Sequence, residues 1–128
     1  MMNARLPLTL LVAVVILGAC QTVPTDIPED LTLGELIQLA QESVDAENWN
    51  AALAYYEAIL DRFPDDRAAV ATARYEIGFI YFRRDDFDQA RIEFAELLAM
   101  YDTDAGQIPE WPRVLANTLL DEISGADR

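Results

Sequence analysis

Histidine and lysine are absent from the 128 residues, and cysteine occurs once. One cysteine cannot form an intrachain disulfide. Without histidine, the chain lacks the commonest general base and metal ligand. Its five glycines form no phosphate-cradling loop. No apolar run approaches the ~20 residues needed to cross a bilayer as a helix. Every basic residue is arginine, and nine of them stand against 23 acids, for a net charge of −14. A polyanion of that size repels nucleic acid and anionic headgroups. The acids do not organise into a metal loop. Asp85, Asp86 and Asp88 lack the glycine and the phase of a calcium loop, and Asp102, Asp104 and Gly106 make an equally thin case. Acids at helix ends, where the backbone dipole favours them, account for both sets. The expectation is a protein that is not an enzyme, with no catalytic residue, no cofactor and no metal.

The N-terminal segment carries the first positive signal. Arg5 precedes an apolar run from Leu6 to Leu17, about the length of a signal-peptide core and too short to span a membrane. The run ends in Leu17-Gly18-Ala19-Cys20, with small residues before the cysteine. This tetrapeptide resembles the lipobox of bacterial lipoproteins. The resemblance implies cleavage between Ala19 and Cys20, a diacylglyceryl group on the Cys20 sulfur, and acylation of the new amino terminus. Each buried methylene would then contribute roughly 0.8 kcal/mol to anchoring. Gln21, where an aspartate would signal retention at the inner membrane in many Gram-negative bacteria, points to the outer membrane. Residues 1–19 are read as the signal peptide. Residues 20–31, with Pro24 and Pro28, are read as an extended lipidated tether that holds the fold off the bilayer.

The remaining sequence is helical in pattern. Thr32 and Glu35 have capping-box spacing before a helix over about 33–46. A second helix is expected from Trp49 to Arg62 and a third from Asp65 or Asp66 to about Arg84. A fourth should run from Asp86 to Tyr101, with a loop over 103–108. Trp111, Leu115, Leu119 and Ile123 recur every four residues, predicting a last helix over about 109–124 whose apolar stripe seals the domain. Ala52 and Ala90 lie 38 residues apart and bring two helix pairs into register. One pair holds Leu36, Leu39, Ala40, Ala52, Tyr56 and Pro64; the other holds Ile77, Gly78, Tyr81, Ala90 and Phe94.

These residues resemble the tetratricopeptide repeat (TPR), in which small residues let two antiparallel helices approach, an aromatic fills the space between them, and a proline closes the unit. Leu36 and Arg74 replace its tryptophan, Ser43 replaces a tyrosine, and Asp102 stands in place of the second proline. The spacing exceeds the family's, so one helix should gain a turn. The expected fold is all-α: two TPR-like antiparallel pairs plus a C-terminal capping helix over 32–124, an α-solenoid fragment.

In that family the inner helices line a concave groove. The positions that correspond include Ile37, Gln38 and Gln41, then Tyr75, Phe79, Phe82 and Arg83, an aromatic strip with one cation. Such a surface suits an extended peptide or a helix. Ile37 and Gln41 occupy positions where carboxylate-clamping relatives need other residues, so that activity is not implied. Signal, lipobox and repeats together resemble a short member of the outer-membrane assembly lipoproteins of the BamD type. The expected function is a lipid-anchored interaction scaffold on the periplasmic face of the outer membrane, engaged in envelope assembly, with a protein partner. The alternative is an accessory subunit of a solute-transport system or a small-molecule-binding TPR lipoprotein. Repeat arrays usually need three units; with two, either the cap suffices or an open face pairs with a second copy or a larger complex.

Overall fold

The structure, a computed structural model, describes residues 22–126. Five helices follow one another: α1 (Leu33–Asp45), α2 (Trp49–Arg62), α3 (Arg67–Arg83), α4 (Phe87–Asp104) and α5 (Trp111–Ala126). There is no strand among the described residues, and none of their helices is long and apolar enough to cross a membrane. Cys20 and Ala19, the expected modification and cleavage residues, lie outside the described residues.

Each of the first four helices begins at a polar cap, which satisfies amides that a helix start leaves unpaired. Thr32 accepts from the Glu35 amide while the Glu35 carboxylate accepts from the Thr32 amide, at 3.3 and 2.8 Å. The Thr32 amide, and after it the Thr32 hydroxyl donating to the same carboxylate oxygen at 2.7 Å, hold the Glu35 pKa below its ordinary value. Asn48, Asp66 and Asp86 each accept from the amide three residues on. The helix ends differ. The Phe63 amide donates to the Ile59 carbonyl, and Pro64 cannot continue the ladder, so α2 stops. Asp102 stands at the position equivalent to Pro64, and α4 runs on to Asp104, three residues past the expected end. Asp104 then meets Arg67 at 2.7 Å, tying the ends of the second pair together.

The packing is an α-solenoid-like succession: α1 on α2, α2 on α3, α3 on α4, then α5 across α3 and α4. Two apolar cores result. Leu36, Ala40, Tyr56, Ile59, Ile77 and Ile80 fill the first; Tyr75, Ala90, Phe94, Leu97 and Ile123 belong to the second. The extra turn expected from the 38-residue spacing is in α3, 17 residues long against 13 in α1.

Two expectations about the ends of the domain need correction. The buried face of α5 is Pro112, Ala116 and Ile123, with Leu119 and Leu120 half-buried, while Trp111 and Leu115 are 40% and 42% exposed. Four-residue steps overshoot a turn by about 40°, so Trp111 and Ile123 point roughly 120° apart and cannot share one face. Residues 22–31 do not stand away from the fold. Ile27 and Leu31 pack on the first core, and the Arg62 guanidinium donates to the Ile27 and Pro28 carbonyls at 2.8 and 2.6 Å.

The turns within the pairs share a backbone device. Glu47 and Asp85, equivalent across the repeat, adopt φ of 54° and 59°. Left-handed backbone costs an L-residue roughly 1–2 kcal/mol, aspartate less than most. Asp85→Gly is therefore expected to add about 0.5 kcal/mol, read as a higher urea midpoint at unchanged slope. A lower midpoint would show that the Asp85 side chain contributes more than its backbone costs.

Candidate interaction strip on the third helix

Tyr75, Phe79 and Arg83 are spaced four apart on α3, so their side chains follow one side of the helix for two turns. The Tyr75 and Phe79 rings are stacked at 6.3 Å between centroids, 16° from parallel. Beyond Phe79, the Arg83 guanidinium carbon lies 6.0 Å from the Phe79 centroid and 5.9 Å from that of Trp49, at the start of α2. At the other end, the Trp111 ring meets Tyr75 edge-on at 5.2 Å. The result is a continuous row, Trp111–Tyr75–Phe79–Arg83–Trp49, assembled from three helices.

Exposure along the row is uneven. Tyr75 is 9% exposed and also touches Phe94, so it belongs mainly to the second core. Phe79 and Trp49 are half-buried, and Arg83 and Trp111 are exposed. Burial, reinforced by the neighbouring Glu76, pushes the Tyr75 pKa up, so its hydroxyl stays protonated as a donor. Glu76 is itself raised by burial. The row offers π faces, one hydroxyl and one guanidinium, a set that recognises another chain by stacking and cation–π contact. No group of three or more His, Cys, Asp or Glu able to hold a metal occurs among the described residues.

The other expected groove residues are placed elsewhere. Phe82 turns aside to meet Phe87 at 5.8 Å. With Arg83, Asp85, Phe87, Glu122 and Ile123 it lines a surface cleft of about 290 Å³. On α1, Ile37 packs on the first core, Gln38 donates to Glu42 at 2.8 Å, and Gln41 is exposed. Among the described helices α1 packs on α2 alone, so these three are not brought together with the α3 strip. The two tryptophans that complete the row were absent from the expected set. Their signal was compositional only: each opens a helix, and nothing in local spacing places either ring against α3.

A protein from Treponema pallidum (strain Nichols), described only as uncharacterized, is 35% identical over 113 residues. The alignment covers 87% of this chain. It covers 45% of that protein, so the chain spans less than half of its relative's length. No family model matches the chain. No solved structure matches it. The similarity thus extends across most of this chain, and the activity of the longer relative adds nothing to the site.

Proposed function

We propose that the chain is a TPR-type, lipid-anchored interaction module on the periplasmic side of the outer membrane, holding a protein partner against α3. The observation that carries this reading is the row from Trp111 to Trp49. It joins three exposed or half-buried aromatics, Trp111, Phe79 and Trp49, and a cation on a helix scaffold whose caps and cores fix their positions. The sequence Leu17-Gly18-Ala19-Cys20 supports the anchor, and Gln21 supports the outer membrane. The acidic surface, −14 overall, favours a partner of opposite charge and speeds its encounter. An extended peptide or a helix suits such a surface. The 290 Å³ cleft beside Phe82 lies at the lower limit of small-molecule sites and has a charged rim. It gives the solute-binding alternative no specific support.

The test compares the wild-type chain, expressed in its own cells, with Cys20→Ala and with the double variant Phe79→Ala/Arg83→Ala. Mass spectrometry of membrane-extracted protein should show cleavage after Ala19 plus acyl chains, both lost in Cys20→Ala. In-cell crosslinking should then retain a partner that the Phe79/Arg83 variant loses while keeping its anchor. An unmodified, unanchored wild type sinks the lipoprotein reading, and a partner indifferent to Phe79 and Arg83 sinks the strip.

A further inference from the structure

The strongest observation outside the strip is the path of residues 22–31. A proline-bearing segment free of the fold would let the domain swing on about 35 Å of chain, at 3.3–3.6 Å per residue. Here it is fastened at both ends. The Asn48 amide group donates to the Thr22 carbonyl at 3.0 Å, at the turn between α1 and α2. Arg62, at the far end of α2, holds the Ile27 and Pro28 carbonyls. Ile27 and Leu31 are half-buried against the first core. Three donors and two apolar side chains thus hold the segment along α2.

We infer that this segment is a strap that sets the orientation of the domain on a lipid surface, with the α1–α2 and α3–α4 turns toward the bilayer. The inference rests on the proposed acylation of Cys20. Thr22 is two residues from that cysteine, so at most about 7 Å of chain separates the anchor from the Asn48 turn. The same end of the domain is identified by independent contacts. Arg84, after α3, donates to Asn50 at 3.3 Å, and the last turn of α5 shares the cleft beside Phe82 and Asp85. Asp85, Asp86, Asp88 and Glu122 are repelled by anionic headgroups, so this end rests above the surface and does not insert. The α3 strip then stands across the membrane plane, with Arg83 and Trp49 near the bilayer and Trp111 distant from it. A partner reaching the strip must approach along the membrane from the side.

The experiment uses the full acylated chain in vesicles carrying an energy-transfer acceptor on the headgroups. Acylation leaves an introduced thiol as the one labelling site, placed at the exposed Gln89→Cys on the turn end or Asp65→Cys at the opposite end. The two positions are separated along the bundle by about 20 Å, the length of the 14-residue α2 at 1.5 Å per residue. Higher transfer at 89 than at 65 is expected, and the difference should shrink in Arg62→Ala and, independently, in Ile27→Ser. Equal transfer in the acylated wild type, or a difference that survives both variants, overturns the strap. A chain whose mass lacks acyl groups overturns the lipid reading, and the orientation with it.

Discussion

Gly78→Ala is expected to destabilise the domain, although alanine is the better helix former by about 1 kcal/mol. The glycine is buried in α3, and a Cβ built there would lie 2.5 and 2.8 Å from two ring carbons of Phe94. Phe94 is wholly buried among Tyr75, Ala90 and Leu97, so its ring has no free volume into which to retreat. Overpacking of this kind costs about 1–3 kcal/mol, so the net loss after the propensity gain should lie between about 0 and 2 kcal/mol, centred near 1. For a domain of this size that corresponds to a fall in Tm of up to roughly 10 °C, with about 5 °C at the centre of the range. Phe94→Leu removes the ring that the methyl group strikes. By itself it should also destabilise, but combined with Gly78→Ala it should cost less than the sum of the two. That positive coupling in a double-mutant cycle is the decisive readout. Strict additivity, or a stabilising Gly78→Ala, would mean that α3 and α4 are not held at the close approach seen here.

This close approach was legible in the sequence because it depends on residues spaced along single helices. Ala40 and Gly78, Ala52 and Ala90, and Tyr56 and Phe94 repeat in register, and all are buried. Polar caps carry similarly local information: Thr32, Asn48, Asp66 and Asp86 act within three residues of themselves. Features decided between distant segments were not legible. The path of residues 22–31 depends on Arg62, 34 and 35 positions away from its acceptors. Proline content alone suggests an extended segment and cannot say against what it lies. On α5 the apolar residues occupy more than one face, so a four-residue repeat placed Leu119 and Ile123 on the packed side correctly and Trp111 and Leu115 wrongly. Pro112 and Ala116, which join Ile123 on the buried face, are small and carry little hydrophobic signal.

For the candidate strip, the division is the same. Tyr75, Phe79 and Arg83 form one side of α3 by spacing, and the structure joins them in one row. Phe82, three residues from Phe79, was expected to join them but faces Phe87 across the turn. Ile37, Gln38 and Gln41 depend on α1 approaching α3, whereas α2 is the one helix on which α1 packs. Trp49 and Trp111 enter the row only because α2 and α5 place their first turns beside α3. Tertiary placement, and no local pattern, supplies the ends of the strip.

The same dependence on neighbours governs the ionic contacts between α3 and α4, and Arg74→Ala should expose it. Arg74 stands where the repeat resembled here has tryptophan, and it pairs with Glu93 at 3.0 Å and with Glu96 at 2.5 Å. The Arg74 and Glu93 side chains retain 25% and 19% exposure, so neither is fully screened by water. Burial raises the Glu93 pKa, Arg74 opposes the rise, and Glu96 and Glu57 add to it. Removing the guanidinium leaves three acids near one another, with Glu93 largely desolvated. Truncating one partner of a fully buried pair costs about 3–5 kcal/mol, and partial exposure reduces this to about 2 kcal/mol here. The pH dependence separates this cause from lost packing. A carboxylate whose folded pKa lies above its unfolded value binds protons more strongly in the fold. Its stability penalty is therefore full above the folded pKa and disappears as pH falls below the unfolded one. Arg74→Ala widens that interval upward, so the gap between variant and wild type should be greatest at neutral pH and should close as Glu93 protonates. Urea denaturation of both proteins at pH 7 and pH 4.5 tests the sign. A gap that stays constant with pH would assign the loss to the arginine's aliphatic stem packing between α3 and α4, and not to the charge it neutralises.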